Sequence, residues 1–424
     1  MRKLIKSTTG LFLCFSVILC VIIGFYYVVL PDKYYLSEND SFKINTFFSI
    51  TADKSENITP VYAMQSVSKN EFDLKLMGVI PIKRATVEKI ERPQLIPCGT
   101  PFGIKIIAGG AIVTELGEVD GEEGFSSPAR EAGIIPGDVI IKVNGKDITS
   151  NDALSEAVQL EGNSKGEARI VYTRDKKQRN INVMPVKSQK DGLLKIGMWV
   201  RDSSAGIGTM TYYNPSDSAF GGLGHAVCDI DTGQTLPLLS GEAVSVYISG
   251  VIKGFSGAPG ELCGSFLSRV PIGTIRGNTE SGVFGVMENP PVTDNDAPAG
   301  GAIPMAFKQE VQIGPAKIIT TIEGNASEEY DIIIEKIDYN DKNAVKNMVI
   351  KVIDRELLSK SGGIVQGMSG SPIVQNGRLA GAVTHVFVSD PKRGYAIFAE
   401  NMYREQLGID NSESAAVYEL EAAA

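Results

Sequence analysis

Residues 11–30, LFLCFSVILCVIIGFYYVVL, form an unbroken run of twenty uncharged and mostly apolar residues. As a helix rising 1.5 Å per residue, such a run reaches about 30 Å, the thickness of a bilayer's hydrocarbon core. Arg2, Lys3 and Lys6 precede it and would hold its start on the cytoplasmic side. A cleaved signal peptide is the rival reading, but its apolar core is shorter and ends in a small-x-small site, which FYYVVLPDKYY lacks. Residues 1–30 are therefore expected to be a cytoplasmic start and transmembrane anchor. The rest of the chain should lie outside the cytoplasm.

At 424 residues the chain is too long for one ordinary core, so two folded domains plus appendages are expected. Its 45 glycines, with 43% hydrophobic and 21% charged residues, suit many short strands and turns better than a helical bundle. A net charge of -9 without a concentrated basic patch argues against nucleic acid as the main partner. Cys14 and Cys20 fall in the apolar run, leaving only Cys98, Cys228 and Cys263, too few for a disulfide scaffold. Unpaired packing is expected for these three, with one bridge among them as the alternative.

Residues 31–75 are polar and read as a partly ordered stalk. Beyond it, short alternating runs broken by Gly and Pro mark a small β-rich domain over residues 76–190. In SSPAREAGIIPGDVIIKVNGKDITS, Ser127 and Pro128 start a one-turn helix that stops at Gly133, and Asn144-Gly145 turns a hairpin. SNDALSEAVQLEG follows as a helix capped by Ser150 or Asn151, with Ala153, Leu154, Ala157 and Val158 on one face.

This order of strands and helices resembles a PDZ domain of the kind attached to extracytoplasmic proteases. The resemblance implies that a peptide adds as a strand to the sheet edge while loop amides hold its end. CGTPFGIKI looks like that loop, which makes Thr100, Phe102, Gly103 and Ile104 the expected peptide-binding positions. The loop departs from the usual Gly-Leu-Gly-Phe form, so an internal segment is as acceptable a ligand as a free C-terminus.

From residue 191 to 410, β-branched runs of strand length such as AVSVYISGVI, YDIIIEKI and RLAGAVTHVFV are separated by turns, the pattern of one or two barrels. Residues 411–424 read as a loose tail.

Only two histidines occur, His225 and His385. A His-Glu-x-x-His zinc site or a three-histidine metal site is thus impossible. A serine hydrolase needs one imidazole, because a serine hydroxyl is a poor nucleophile until a base takes its proton. His225, in the glycine-rich loop GLGHAVCDIDTG, is favoured as the base. His385 sits inside the strand-like GAVTHVFV and reads as a packing or wall residue.

Ser369 stands in GMSGSP, whose Gly367 and Gly370 free the backbone on either side. The order histidine first, serine last is similar to chymotrypsin-like peptidases, and that likeness puts the oxyanion hole on the amides of Gly367 and Ser369. GFSGAPG around Ser256 has the same spelling, but lies only about thirty residues after His225, too near for a serine on a second barrel. Ser371 is expected to brace the turn. Asp229, Asp231 and Asp354 are all candidate third members, and spacing alone does not choose among them.

The apolar anchor, the PDZ-like stretch, GLGHAVCDIDTG and GGIVQGMSGSPIVQNGRLAGAVTHVFVSDP together resemble the SpoIVB (stage IV sporulation protein B) serine peptidase family of endospore-forming bacteria. The fold this implies is mainly β: an N-terminal transmembrane helix, a small PDZ-like domain and a chymotrypsin-like double β-barrel peptidase domain. By the same resemblance the catalytic residues are His225, Asp354 and Ser369, and no cofactor or metal is needed. Gly363, six before the nucleophile, would floor the specificity pocket without an acidic group.

The resemblance further implies a signalling protease at the inner forespore membrane and intermembrane space. It would cut a membrane-bound regulator, release an intramembrane protease, activate a late mother-cell sigma factor, and cut itself. A non-catalytic PDZ-containing adaptor with a peptidase-like barrel is the alternative from another class.

Overall fold

The computed structural model describes residues 2–37, 42, 44, 48–54, 70–268, 270–288, 301–339 and 345–423. Helix α1 (Arg2–Val29) contains the apolar window Phe12–Val29, of mean hydropathy 2.6 and almost wholly uncovered by protein. It fits a single-pass membrane protein. Its last turn does not float free, because Tyr26 and Leu30 are buried in a small core with Tyr34, Ile50, Leu74, Leu76 and Val87.

That core belongs to a four-stranded sheet of β1 (Lys33–Leu36), β2 (Ile50–Lys54), β3 (Asn70–Leu76) and β4 (Ile80–Lys89), in the order β1-β4-β3-β2. The stalk expected over residues 31–75 is therefore, where described, part of a folded sheet; residues 55–69 lie outside the described residues. Composition misled because alternate residues of strands such as NEFDLKL are polar on the open face while Leu74 and Leu76 are fully covered.

Strand β5 (Gln94–Pro97) leads into β6 (Pro101–Leu116), a single long strand that serves two bodies. Its first half is barrel wall. Its second half enters the PDZ-like unit, pairing Ala111 and Ile112 with Ile140 and Val139.

That unit comprises β7 (Val119–Gly121), β8 (Gly124–Ser126), α2 (Pro128–Ala132), β9 (Val139–Val143), β10 (Lys146–Asp147), α3 (Asn151–Lys165), β11 (Ala168–Arg174), β12 (Lys177–Val183), β13 (Val186–Lys187) and β14 (Leu194–Lys195). The local expectations hold here. Gly133 ends α2 at φ +96°, Asn144 and Gly145 turn the β9–β10 hairpin at positive φ, and the Ser150 hydroxyl caps α3 by accepting from Ala153 N at 3.0 Å. Its core gathers Ala111, Val113, Ala129, Ile140, Val158 and Ile170.

Strand β15 (Met198–Tyr213) then returns along β6 from the PDZ-like unit into the barrel. With β16 (Ala219–Gly222), β17 (Leu238–Ile252), β18 (Glu261–Phe266), β19 (Gly273–Thr279) and β20 (Gly282–Met287) it builds the first barrel, in the cyclic order β6-β17-β19-β20-β16-β15, with β18 as an extra edge on β17. The PDZ-like unit is thus inserted into the first barrel between β6 and β15. The boundary expected at residues 190/191 is corrected accordingly, since the barrel begins some ninety residues earlier, near Gln94.

The short strand β21 (Ile303–Pro304) pairs with β5. The second barrel is closed in the order β22-β23-β24-β27-β26-β25, from β22 (Gly314–Thr320), β23 (Glu328–Ile337), β24 (Met348–Val352), β25 (Pro372–Gln375), β26 (Arg378–Val386) and β27 (Arg393–Phe398). Helix α4 (Arg355–Ser361) lies between β24 and β25, and α5 (Ala399–Ala423) follows β27. The tail expected to be loose over 411–424 is helical through Ala423. Earlier in α5, Gln406 accepts the buried Tyr212 hydroxyl at 2.7 Å, tying the helix to the first barrel.

Candidate active site

Two glycines let the barrels touch. After β16 the chain turns at Leu223 and Gly224, both at positive φ, and a β-carbon on Gly224 would lie 2.9 Å from Ile397 and 3.0 Å from Thr384. Gly370, at φ +98°, leaves no room for a β-carbon either, which would run into the carbonyl of Thr209 and the amide of Leu223. Thr209 locks the seam from the other side: its amide donates to the Ser369 carbonyl at 3.0 Å and its hydroxyl to the Gly367 carbonyl at 2.7 Å.

Across this seam the two histidines and Ser369 meet on consecutive residues of β26. The Ser369 hydroxyl donates to the Thr384 carbonyl at 2.6 Å, and the His225 ring packs on the His385 ring with centroids 4.8 Å apart and planes tilted by 36°. His225 Nδ1 lies 2.8 Å from the Ala226 carbonyl. A carbonyl only accepts, so Nδ1 carries the proton and Nε2 keeps the lone pair a base requires.

Burial lowers the pKa of His225 below the ordinary imidazole value, and the bond to Ala226 offsets this only in part. His385, open to solvent on one side, is also shifted down, first by the protein packed around its inner face and then by repulsion from His225 and Lys346. At Ser369 the amides of Gly367 and Ser369 donate to no group among the described residues. Ser371 is fully buried and donates to Thr320 Oγ1 at 2.9 Å, so it braces the turn.

The carboxylates are elsewhere. Asp354 caps α4, accepting from the amides of Glu356 at 2.9 Å and Leu357 at 3.0 Å. Asp229 and Asp231 are held by Arg201, the latter at 2.7 Å, and Asp229 also accepts from Thr232. Burial works to raise the Asp229 pKa, but the bonds from Thr232 and Arg201 bring it below the usual carboxylate value. Among the described residues no carboxylate hydrogen-bonds either imidazole. The structure thus brings His225 and Ser369 to one strand and leaves Asp354 on a helix end.

One other expectation is corrected, and the ranking of Ser369 above Ser256 agrees with the structure. Gly363 does not face an open pocket: it is buried, and a β-carbon on it would run into the Pro391 carbonyl. Ser256 sits on a separate exposed turn, donating to the Ser389 carbonyl at 2.9 Å.

Thr100, Phe102, Gly103 and Ile104 do not form a peptide-end loop. Phe102, Gly103 and Ile104 pair with Gly208, Ile207 and Gly206 on one side, and with Ser245, Val244 and Ala243 on the other. Both edges of β6 are thereby occupied, Phe102 and Ile104 are core residues, and the Thr100 carbonyl accepts from Met210. A peptide strand has nowhere to add.

The open groove lies instead between α3 and the start of β15, a cavity of about 940 Å³ lined by Phe125, Leu154, Val158, Leu193, Met198 and Trp199. There β15 pairs with β6 on one side only. The turn leading in, Ile196-Gly197-Met198 with Gly197 at φ +71°, is a glycine between apolar residues just before a strand. That signal was present in KIGMWV, but the domain was expected to have ended already.

Comparison with known proteins supports the two kinds of domain. The family described as SpoIVB peptidase S55 matches residues 192–403, half of the chain, and a PDZ domain family matches residues 126–170. Among solved structures, the PDZ domain of an SdrC-like protein from Listeria monocytogenes is 20% identical, covering 22% of this chain and 90% of that one at a TM-score of 0.18. A search of the curated proteins found no match.

Proposed function

The chain belongs to the SpoIVB peptidase S55 family of serine peptidases and carries a PDZ domain, and from that premise we propose that it is a membrane-tethered endopeptidase with Ser369 as nucleophile and His225 as base. The observation that carries this reading is the meeting of the Ser369 hydroxyl and the His225 ring on adjacent residues, Thr384 and His385, of one strand.

In the proposed reaction the serine hydroxyl swings from the Thr384 carbonyl toward His225 Nε2, gives up its proton and attacks a peptide carbonyl. The unengaged amides of Gly367 and Ser369 receive the oxyanion, each contributing about 3 kcal/mol to the transition state. His225 passes the proton to the departing amine, and water then hydrolyses the acyl-enzyme by the same route. Asp354 is given no part in these steps, because its Oδ1 caps α4, its Oδ2 accepts from Asp331 N at 3.5 Å, and neither oxygen bonds an imidazole among the described residues.

The groove between α3 and β15 is proposed to take a substrate segment as an added strand. The family points to a membrane-bound regulator at the forespore inner membrane as that substrate, cut so as to release an intramembrane protease and activate a late sigma factor. Cleavage of the chain itself after Leu30 belongs to the same proposal. Intact-mass measurement should then find the N-terminal segment lost from the wild type and retained in Ser369→Ala.

A fluorophosphonate probe tests the hydrolytic core. Wild type should be labelled on Ser369, with labelling abolished in Ser369→Ala and slowed about 10⁴-fold or more in His225→Ala. Absence of labelling at every pH would favour the peptide-binding adaptor.

A further inference from the structure

Neither imidazole is held by a carboxylate among the described residues, yet a base that must accept a proton in a fixed direction needs something to fix its ring. His225 has two restraints. One is the Nδ1 bond to Ala226; the other is the face of the His385 ring. We propose that His385 is a positioning residue of the hydrolytic site, its ring packed at a tilt against that of His225 so that Nε2 is held toward Ser369 where no carboxylate among the described residues orients the imidazole. The inference rests on the reading of Ser369 and His225 as nucleophile and base.

The placement of His385 suits this task. It lies on β26 one residue after Thr384, whose carbonyl holds the serine hydroxyl, so one rigid strand sets the position of both partners. Across the ladder it pairs with Tyr395 of β27. Lys346, just before β24, places its ammonium 5.0 Å from the centroid of the Tyr395 ring. Among the described residues the titratable or charged groups around His385 are thus His225, Lys346 and Tyr395, with no carboxylate bound to it. Neighbouring positive charge favours the neutral ring, and a neutral π-face accommodates the imidazolium that forms on His225 when it takes the serine proton. His385 itself takes no proton in the cycle.

The test uses the full chain in detergent, with the rate of fluorophosphonate labelling of Ser369 followed against pH and folding followed by thermal melt. His385→Ala should slow labelling by about tenfold or more. It should also move the acid limb of the profile upward, because the uncovered His225 ring regains water and burial was what lowered its pKa. His385→Phe keeps a flat face over His225, so labelling should stay within about threefold of wild type with the acid limb unmoved.

An alanine variant labelled at the wild-type rate and with the wild-type profile would reduce His385 to a wall residue. A phenylalanine variant that melts normally but is slowed more than about tenfold would also overturn the proposal, since the site would then need the imidazole's own nitrogens. If the alanine variant does not fold, the phenylalanine variant decides alone. Wild type that never labels would sink the hydrolytic reading and this role with it, an outcome distinct from either.

Discussion

At the scale of single residues, the proposed reaction turns on the protonation of His225. A general base works only when neutral, and burial lowers the pKa of His225 below its ordinary 6.5, so the neutral form persists to lower pH than a free imidazole would allow. The acid limb of Ser369 labelling, or of kcat/KM on a peptide, is therefore expected below pH 6.5. A limb rising above pH 7 would mean a water-exposed His225. Stability runs in the same sense. Both histidines bind protons more readily unfolded than folded, so the chain should lose stability as pH falls from 6.5 toward the lower folded-state values. The glycine-x-serine-glycine spelling occurs at both Ser256 and Ser369, so the turn was legible in the sequence but its place at the seam was not, since only the fold brings Ser369 to Thr209 and Thr384. His385 was not legible either, since alternation reports which face of a strand a residue occupies but not which loop comes to rest on that face.

Among the elements, α4 carries the sharpest disagreement between motif and geometry. Asp354 is the aspartate that the family resemblance implied for the triad, yet it lies between β24 and α4 and caps α4 with two amide bonds at 2.9 and 3.0 Å. A cap and a triad member respond differently to amidation. Asparagine caps about as well as aspartate, whereas alanine forfeits about 1 kcal/mol. Conversely, amidating an imidazole-orienting aspartate costs about 10⁴ in kcat. Asp354→Asn is thus expected to melt like wild type and keep labelling within about tenfold, while Asp354→Ala loses about 1 kcal/mol in denaturant titration. A thousandfold loss in Asp354→Asn would return the carboxylate to the chemistry. Local elements were otherwise legible where turn chemistry is explicit, as at Ser150, Asn144-Gly145 and Gly133. Those that pair across long separations, such as β5 with β21, give no local sign of their partner.

For the whole molecule the decisive fact is that β6 and β15 are each shared between the PDZ-like unit and the first barrel. No composition change marks such a junction, because the strand continues through it with the same alternation, and for that reason the sequence placed the domain boundary too late. The sharing has a mechanical consequence. Met198 and Trp199 line the groove, and two residues further along the same strand Arg201 binds Asp229 and Asp231 in the loop that begins at His225. A strand added at the groove would therefore lie two residues from Arg201, a side chain that ties β15 to the histidine loop. Asp229 is fully buried while Arg201 remains partly exposed, so Arg201→Met should cost about 1–3 kcal/mol by stranding the carboxylate. It should also slow Ser369 labelling about tenfold at a temperature where the variant is fully folded, because the loop holding His225 loses its tether. Equal labelling rates in the two folded proteins would mean that Asn278, which bonds both the amide and the carbonyl of Val227, holds that loop unaided. The groove would then recruit substrate without any say in how fast it is cut.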